Sequence, residues 1–394
     1  MYWLGKLITG YLVLAGILLH VIVAAGAVYR PDLVKQAEQF ADKAMNKIRQ
    51  SHTGVSHNHD SPQPKWSINV EIRHNFEPWQ PLKNIYPKAR QPFINSPDNV
   101  FKTLTDAIFH LKPGDKLYIP PGIYRQGIAI TQPNISLIGL GRVIIENTAI
   151  QNKGAIITQA DNTLIRNIEC RGIFVAHKNG ACVRHEANNL TLEHVYFHSS
   201  QEGVLSGNVS GHVKIVDSRF ENLDTPGARA HGIYIGSGTL EIDNSIFLAS
   251  LSQGHEIKSR AASTIIRNSV IASLSANDSR LIDIPNGGKL LIENSVLQQG
   301  AHSANQDMIG YGLELRSYRE NQVELINNTI LMERPGANVL FNGHHALPEP
   351  IIENNRILAK RITNLPGKNI LFKSREAMGL PPYPALPARN TAIR

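Results

Sequence analysis

A short phrase recurs along most of the chain. It consists of an Asn or Asp, a small polar residue, any residue, and then an aliphatic or aromatic residue. Full and weaker copies begin at Asn167 (NIEC), His194 (HVYF), Asp217 (DSRF), Asn244 (NSIF), Asn268 (NSVI), Asn294 (NSVL), Asn328 (NTIL) and Asn354 (NNRI). Successive copies are 23 to 34 residues apart. A period in the twenties is typical of a solenoid, in which each coil buries its apolar face only against its neighbours.

The segments between these turns are typical of β-strands. They are short, rich in Val and Ile, and separated by Gly, Asn and Asp, and no repeat contains a clean 3.6-residue stripe. The LxxLxL consensus of leucine-rich repeats is absent. An Asn at a fixed turn tolerates a left-handed backbone and can bond its neighbours in the stack. The sequence therefore predicts a parallel β-helix with a structural Asn ladder, in which Asn244, Asn268 and Asn294 are stacked.

A second set of strand segments follows the same period. If the second residue of each segment points inward, the inward row is apolar and consists of Ile156, Cys182, Val204, Ile233, Ile257, Ile282, Leu313 and Leu340. By alternation the next residues point outward, and they are Ile157, Val183, Leu205, Tyr234, Lys258, Asp283, Glu314 and Phe341. Because adjacent coils lie about 4.8 Å apart, this register places several charged side chains side by side on one face.

Several segments resemble the right-handed parallel β-helix proteins of the pectin-lyase-like superfamily. FKTLTDAIFHLKPGDKLYIPPGIY (101–124) is similar to the start of that fold, where a short helix caps the solenoid before the first coil. NGACVRHEANNLTLEHVYF, HGIYIG, HEIKSRA and DIPNGGKLLIENSVLQQG are similar to segments of bacterial β-helix repeat proteins. The resemblance covers most of the chain and implies an all-β, right-handed parallel β-helix over 97–372.

Members of that superfamily commonly act on polysaccharides. Uronate-specific members abstract the proton next to a carboxylate, for elimination or C5 epimerisation, which requires a cation, a base and often an acid. The catalytic residues that we predict for this reaction are Lys258, Arg260, His255, His231 and Tyr234. The predicted substrate-binding residues are Glu256, Arg280, Asp283 and Glu314.

The same residues also have a purely structural interpretation. Lys258 and Asp283 could form an ordinary ion pair between coils, and Glu256 and Arg260 likewise. The two histidines could simply hydrogen-bond turns.

Two other functions remain open. A glycoside hydrolase would use the acids Glu256, Asp283 and Glu314, but the cations among them favour proton abstraction. A non-catalytic carbohydrate-binding or structural protein in exopolysaccharide assembly is the second alternative. Ca²⁺ bound by the same acids could bridge a uronate, and no other metal or cofactor is predicted.

The net charge of +8 favours an acidic partner. No zinc-finger spacing, RNP-like aromatic signature or basic region of the bZIP type occurs in the sequence, so nucleic acid is not predicted. The predicted partner is an acidic polysaccharide. Cys170 and Cys182 are the two cysteines of the chain, and the sequence leaves open whether they are bridged or are two buried thiols.

The N-terminal region has a long apolar run. Between Lys6 and Arg30 the chain carries no acidic or basic side chain except His20. At about 1.5 Å per residue this run spans roughly 35 Å as a helix, enough to cross a bilayer. We predict an uncleaved transmembrane anchor over 1–30, with a signal peptide cleaved near 25–27 as the alternative.

The remaining boundaries follow from composition. A helical apolar stripe after Pro31 predicts a juxtamembrane helix over 31–50. A Ser-, Pro- and His-rich linker leads into the solenoid over 51–96, and 373–394 form a C-terminal tail. We expect a single-pass protein of the inner membrane with the β-helix domain in the periplasm, although the flanking charges do not decide the orientation.

Overall fold

The computed structural model describes residues 67–388 except 315–317, 345–347, 363–364 and 366. In this part of the chain, two short helices, α1 (Ile68–Asn75) and α2 (Leu104–Phe109), accompany three sheets. The predicted anchor (1–30), the predicted juxtamembrane helix (31–50) and most of the predicted linker lie outside the described residues. Within the described residues, no helix is both long enough and apolar enough to span a membrane.

The three sheets run along the solenoid. Sheet I contains eleven strands: β1 (Phe93–Ile94), β2 (Lys116–Ile119), β5 (Ser136–Gly139), β8 (Thr163–Arg166), β11 (Leu190–Glu193), β14 (His212–Val216), β17 (Thr239–Asp243), β20 (Ser263–Arg267), β23 (Lys289–Glu293), β26 (Gln322–Ile326) and β29 (Ile351–Glu353). Sheet II contains nine: β4 (Ile128–Ile130), β7 (Gly154–Thr158), β10 (Ala181–His185), β13 (Glu202–Ser206), β16 (Ile233–Ile235), β19 (Ile257–Ser259), β22 (Ile282–Ile284), β25 (Asp307–Tyr311) and β28 (Val339–Gly343). Sheet III contains eleven: β3 (Gly122–Tyr124), β6 (Val143–Glu146), β9 (Glu169–Arg171), β12 (Tyr196–His198), β15 (Arg219–Glu221), β18 (Ile246–Leu248), β21 (Val270–Ala272), β24 (Val296–Gln299), β27 (Thr329–Met332), β30 (Arg356–Ala359) and β31 (Ile370–Phe372).

Neighbouring strands in each sheet come from successive coils. They pair in parallel, for example β16 with β19 and β19 with β22, whereas β1 pairs with β2 in antiparallel orientation. The predicted all-β fold, a parallel β-helix of the right-handed type, is therefore confirmed. The predicted N-terminal capping helix is α2, whose Leu104 and Ala107 are buried in the core.

Stacked apolar side chains fill the interior. On sheet I, strands such as β17 and β20 alternate buried and partly exposed residues, as expected for strands with one solvated face. On sheet III, Phe197, Phe220 and Phe247 from three successive coils contact one another, with ring centroids 5.5 and 4.6 Å apart. This stacking gives the solenoid a continuous core.

The predicted Asn ladder lies at the turn between sheets I and III. Asn244, Asn268 and Asn294 all have φ near +50°, and each donates its backbone N–H to the next coil. The prediction that they are stacked is therefore confirmed. One member was misplaced: Asn327, with φ of 59°, occupies the ladder position that the sequence assigned to Asn328.

A second ladder, buried except at its last member, follows directly behind the first. Its members are Ser218, Ser245, Ser269, Ser295, Asn328, Asn355 and Asn369. In each step the backbone N–H of one member donates to the side-chain oxygen of the next member. Because a buried N–H needs an acceptor, these polar side chains hold the turns together inside the solenoid.

The described terminal segments pack against the outer face of sheet III. Ile72 of α1 belongs to an apolar cluster with Leu248 and Val270 of that sheet, and Leu386 contacts the same cluster. The side chain of Glu71 accepts hydrogen bonds from Ser275 N–H and from the Tyr383 hydroxyl. This packing leaves sheet II as the face where the predicted site residues are found.

Candidate functional site

Each strand of sheet II is preceded or begun by two consecutive inward residues. In the coil that contains β19 these are Glu256 and Ile257, and in the next coil they are Leu281 and Ile282, all at most 1% exposed. The residues on either side of such a pair point outward. Sheet II therefore presents two outward rows instead of the single row that simple alternation predicts.

The first outward row follows the observed strand pairing. It consists of Ile157, Arg184, Leu205, Tyr234, Lys258, Asp283, Gly310 and Asn342. Three predicted members are wrong. Val183 is the second inward residue of its pair and Phe341 packs against the core, while Glu314 lies in the loop after β25.

The second outward row lies three residues earlier in each coil. It contains Glu202, His231, His255, Arg280 and Asp307. Together with Tyr234, Lys258 and Asp283 of the first row, these residues form what we call the polar strip. Sequence reasoning missed Glu202 and Asp307. Each of these residues stands two positions before the second inward residue of its coil. A sequence alignment of the coils in the observed register would therefore have placed Glu202 and Asp307 in the same row as His231 and His255.

Lys258 is at the centre of the polar strip. Its Nζ atom donates to Asp283 Oδ2 at 3.0 Å and to Glu314 Oε1 at 3.1 Å. It also lies 5.8 Å from the centroid of the Tyr234 ring. The Lys258 side chain is only 10% exposed, and its charge is balanced by the buried carboxylate of Asp283 and the half-exposed carboxylate of Glu314.

Arg260 lies beside Lys258 and joins it to Tyr234. Its Nε atom donates to the Tyr234 hydroxyl at 2.8 Å, and Nη1 donates to Asn286 Oδ1 at 2.6 Å. Its Nη2 atom donates to the second carboxylate oxygen of Glu314. Glu314 is 49% exposed and thus bridges the two cations from the solvent side.

Arg280 forms the other end of the polar strip. Its Nη1 and Nη2 atoms donate to Asp283 and Asp307, each at 3.3 Å. Gly310 makes room for this side chain, because a Cβ atom there would lie 2.7 Å from Arg280 Cδ. Burial alone would raise the pKa of Asp283, but His255 and the charges of Lys258 and Arg280 offset this and hold that pKa well below its usual range.

The two histidines of the polar strip stack with ring centroids 5.2 Å apart. The Nδ1 atom of His231 accepts the backbone N–H of His255 at 3.0 Å, so the neutral ring carries its proton on Nε2. His255 contacts the Arg280 backbone through Nδ1 and lies 3.6 Å from Asp283 through Nε2. Burial lowers the pKa of His255 to about 4 and lowers that of His231 well below its ordinary value, so both rings are neutral at neutral pH.

Glu256 lies apart from the other predicted residues. Its carboxyl points into the solenoid, where Oε1 accepts Ser250 N–H at 2.7 Å and Oε2 accepts the Ser250 hydroxyl at 2.8 Å. Burial raises the pKa of Glu256 to about 8. The structure thus brings together Tyr234, Lys258, Arg260, Arg280, Asp283, Glu314, His231 and His255, and places Glu256 on the inner side of the same strand.

The acids suggested for Ca²⁺ do not converge. Asp283 and Glu314 each contact two cations, and Glu256 is bonded to Ser250. No group of three or more His, Cys, Asp or Glu side chains suited to a metal ion occurs among the described residues. The residues of the polar strip therefore do not fit a calcium site.

Three solved structures are similar to this chain. Pectate lyase Pel9A matches 70% of this chain and 75% of its own, at 13% identity and a TM-score of 0.43. ORF18 of Geobacillus virus E2 matches 64% of this chain and 51% of its own, at 14% identity and a TM-score of 0.38. A mutant of the PL6 family alginate lyase AlyGC matches 68% of this chain and 52% of its own, at 12% identity and a TM-score of 0.31.

No protein-family model matches the chain, and no curated protein matches it either. This chain spans about half the length of the last two solved structures. The strand pairing itself confirms the parallel β-helix fold that the resemblance to the pectin-lyase-like superfamily implies.

Proposed function

We propose that this protein acts on an acidic, uronate-containing polysaccharide through the polar strip. The observation that supports this proposal is the contact of Glu314, whose two carboxylate oxygens accept hydrogen bonds from Lys258 and Arg260. Lys258 and Arg260 thus form a partly exposed position at which a carboxylate receives hydrogen bonds from two cations. A uronate carboxylate that replaced Glu314 would meet the same two donors.

Proton abstraction next to that carboxylate is the reaction that the geometry supports best. Lys258 and Arg260 would neutralise the carboxylate and stabilise the negative charge that develops when the neighbouring carbon loses its proton. The Tyr234 hydroxyl lies 2.8 Å from Arg260 Nε, beside the same position, and is our candidate for the proton-transfer group. The reaction would be of the lyase or C5-epimerase type.

For the two histidines we propose roles that differ from the predicted catalytic one. Both nitrogens of His255 face protein groups, so this ring holds Asp283 and the Arg280 backbone in place. His231 presents a protonated Nε2, which can donate to a sugar oxygen but cannot accept a proton. We therefore assign a positioning role to His255 and a hydrogen-bonding role to His231.

A non-catalytic carbohydrate-binding protein is the second candidate. It is favoured by the complete pairing of Lys258, Arg260 and Arg280 with protein carboxylates, which gives a stable charged surface without a free base. Hydrolysis is less well supported, because a pair of carboxyl groups would have to face one glycosidic oxygen. Asp283 and Asp307 are instead both bonded to Arg280.

The products distinguish these activities. The full-length protein in detergent is incubated with alginate, pectate and exopolysaccharide, and the oligosaccharides are analysed by mass spectrometry and NMR. Unsaturated ends would identify a lyase, and altered C5 stereochemistry would identify an epimerase. Retention of the polymer without change would identify a binding protein, whereas neither retention nor change with any acidic polymer would reject the proposed function.

A substitution at Glu314 tests the carboxylate position directly. We expect Glu314→Gln to strengthen binding of an acidic oligosaccharide about tenfold, because the competing carboxylate is removed while Lys258 and Arg260 remain. The matched control is Glu320→Gln. Glu320 lies away from the polar strip, and its carboxylate is 2.7 Å from Lys289 Nζ. Isothermal titration calorimetry measures both variants, and equal affinities for wild type and Glu314→Gln would contradict the assignment.

A further inference from the structure

Glu202 lies at one end of the polar strip, beside His231 in the second outward row. Its Oε2 atom accepts the backbone N–H of His231 at 3.0 Å. The residue is only 4% exposed, and no described residue donates to its other carboxyl oxygen or forms an ion pair with it. The carboxyl is deeply buried and has one neutral hydrogen-bond donor. Burial raises the pKa of Glu202 well above its ordinary value, against the opposing effect of the charges of Arg184 and Lys258.

Two other buried carboxyls show how such groups are usually satisfied in this fold. Both oxygens of Glu256 accept hydrogen bonds from Ser250. Both oxygens of Asp278 accept hydroxyl groups, from Ser273 at 2.6 Å and from Ser303 at 2.5 Å. Glu202 differs because its second oxygen has no protein partner, although it lies next to the proposed site.

That second oxygen also keeps contact with solvent. The fully buried side-chain atoms without a partner among the described residues include Nε of Arg184 and Nε of Arg280, but no atom of Glu202. This oxygen is therefore within reach of water or of a ligand. The neighbouring outward residues of the first row are Leu205 and Tyr234, which are paired in register.

We propose that Glu202 is the proton donor of the site and touches the sugar oxygen that leaves during the reaction. This inference rests on the proposed function. In the elimination, the C5–H bond breaks and its proton passes to the oxygen of Tyr234 after that hydroxyl has given its own proton to water. The electron pair forms the C4=C5 double bond, the C4–O bond breaks, and the leaving oxygen takes the proton of Glu202. Proton exchange with water then restores both side chains.

The test uses full-length Glu202→Gln, which keeps the shape and the acceptor for His231 N–H but carries no transferable proton. The matched control is Glu186→Gln, which removes an acid that directly follows β10 and is bonded to Lys153. With alginate and pectate as substrates, we expect Glu202→Gln to lower kcat at least 100-fold with little change in KM, and to remove the alkaline limb of the pH profile. The control should retain wild-type kcat.

An infrared measurement separates this inference from the proposed function. The difference spectrum between wild type and Glu202→Gln at neutral pH should contain the carbonyl band of a protonated carboxyl group, whether or not a substrate is known. Absence of that band would overturn the inference, as would an active Glu202→Gln enzyme with an unchanged pH profile. If wild type neither changes nor retains any acidic polysaccharide, the proposed function fails and the donor role fails with it, even when the band is present.

Discussion

The charged side chains of the polar strip have much lower exposed fractions than the charged side chains of an ordinary surface ion pair in the same protein. Lys258 and Asp283 are 10% and 4% exposed and form a direct ion pair. By contrast, Lys289 and Glu320 form an ion pair in which the side chains are 52% and 78% exposed. The two pairs have similar chemistry, so the difference in burial decides how much each contributes to stability.

Removal of Lys258 should therefore destabilise the fold measurably. We expect Lys258→Met to lower the free energy of unfolding by about 3 kcal/mol, because Asp283 is left buried with only Arg280 as its cation. The control substitution Lys289→Met should change it by less than about 0.5 kcal/mol. Urea denaturation followed by circular dichroism measures both. A loss in Lys258→Met no greater than in the control would show that this part of the polar strip is effectively solvated.

His255 shows what residue type alone does not reveal. The sequence pattern predicts that His255 belongs to the site, and the structure places its ring in the polar strip, stacked on His231. Its role depends on which atoms surround the two ring nitrogens, and these come from Arg280 and Asp283, one coil away. These contacts support our proposal that His255 acts as a positioning group and not as the base.

At the scale of elements, the repeat period predicted the fold because each coil must bury its face against the next coil. The predicted inward and outward positions of Ile257 and Lys258 are correct. The prediction was wrong by one residue at Cys182 and Leu340. Each is the first of two consecutive inward residues, whereas the pattern treated it as the last one. Strict alternation cannot detect a bend with two inward residues.

The loop after β25 explains the other error. The sequence GLEL (312–315) alternates in the same way as the true strand Asp307–Tyr311, and periodicity cannot choose between the two segments. Glu314 nevertheless reaches Lys258 and Arg260 from this loop. The pattern placed Glu314 on this face as a strand residue, whereas it reaches the face from a loop, and the sequence does not show where a loop folds back.

The turns between sheets III and II contain buried acids that respond to pH. Burial raises the pKa of Glu256 to about 8 and that of Asp278 to about 7, above the values expected in an unfolded chain. The folded state therefore binds protons more tightly than the unfolded state, and stability is lost as pH rises from about 4.5 to about 8.

We expect Glu256→Gln to remove part of this loss. The variant should match wild type near pH 5 and be more stable by about 2 kcal/mol above pH 8, since an amide imitates the protonated carboxyl without its charge. Urea titrations across this pH range measure the effect. The control Glu193→Gln changes an acid that is 40% exposed and should leave the pH dependence unaltered. A parallel pH dependence in wild type and Glu256→Gln would contradict the assignment.

The whole molecule combines a basic balance of +8 with one internal disulfide. Cys170 on β9 and Cys182 on β10 are bonded, with Cα atoms 5.8 Å apart, and their sulfurs link sheet III to sheet II within one coil. The sequence left this pairing open, and the structure settles it. Disulfides persist in oxidising compartments such as the bacterial periplasm and are rare in the cytosol.

We therefore propose that the β-helix domain lies in the periplasm, held at the inner membrane by the apolar run over 7–29. Two measurements in cells test this location. Alkaline phosphatase fused after residue 60 should be active, because that enzyme requires export, whereas a cytoplasmic reporter at the same point should be inactive. In addition, both cysteines should react with a maleimide in the denatured protein only after reduction, because the Cys170–Cys182 bond is formed in the oxidising compartment.

An inactive phosphatase fusion together with freely reactive cysteines would place the solenoid in the cytosol and overturn the proposal. An active fusion whose cysteines are free would keep the location but show that the bond is not formed in the cell.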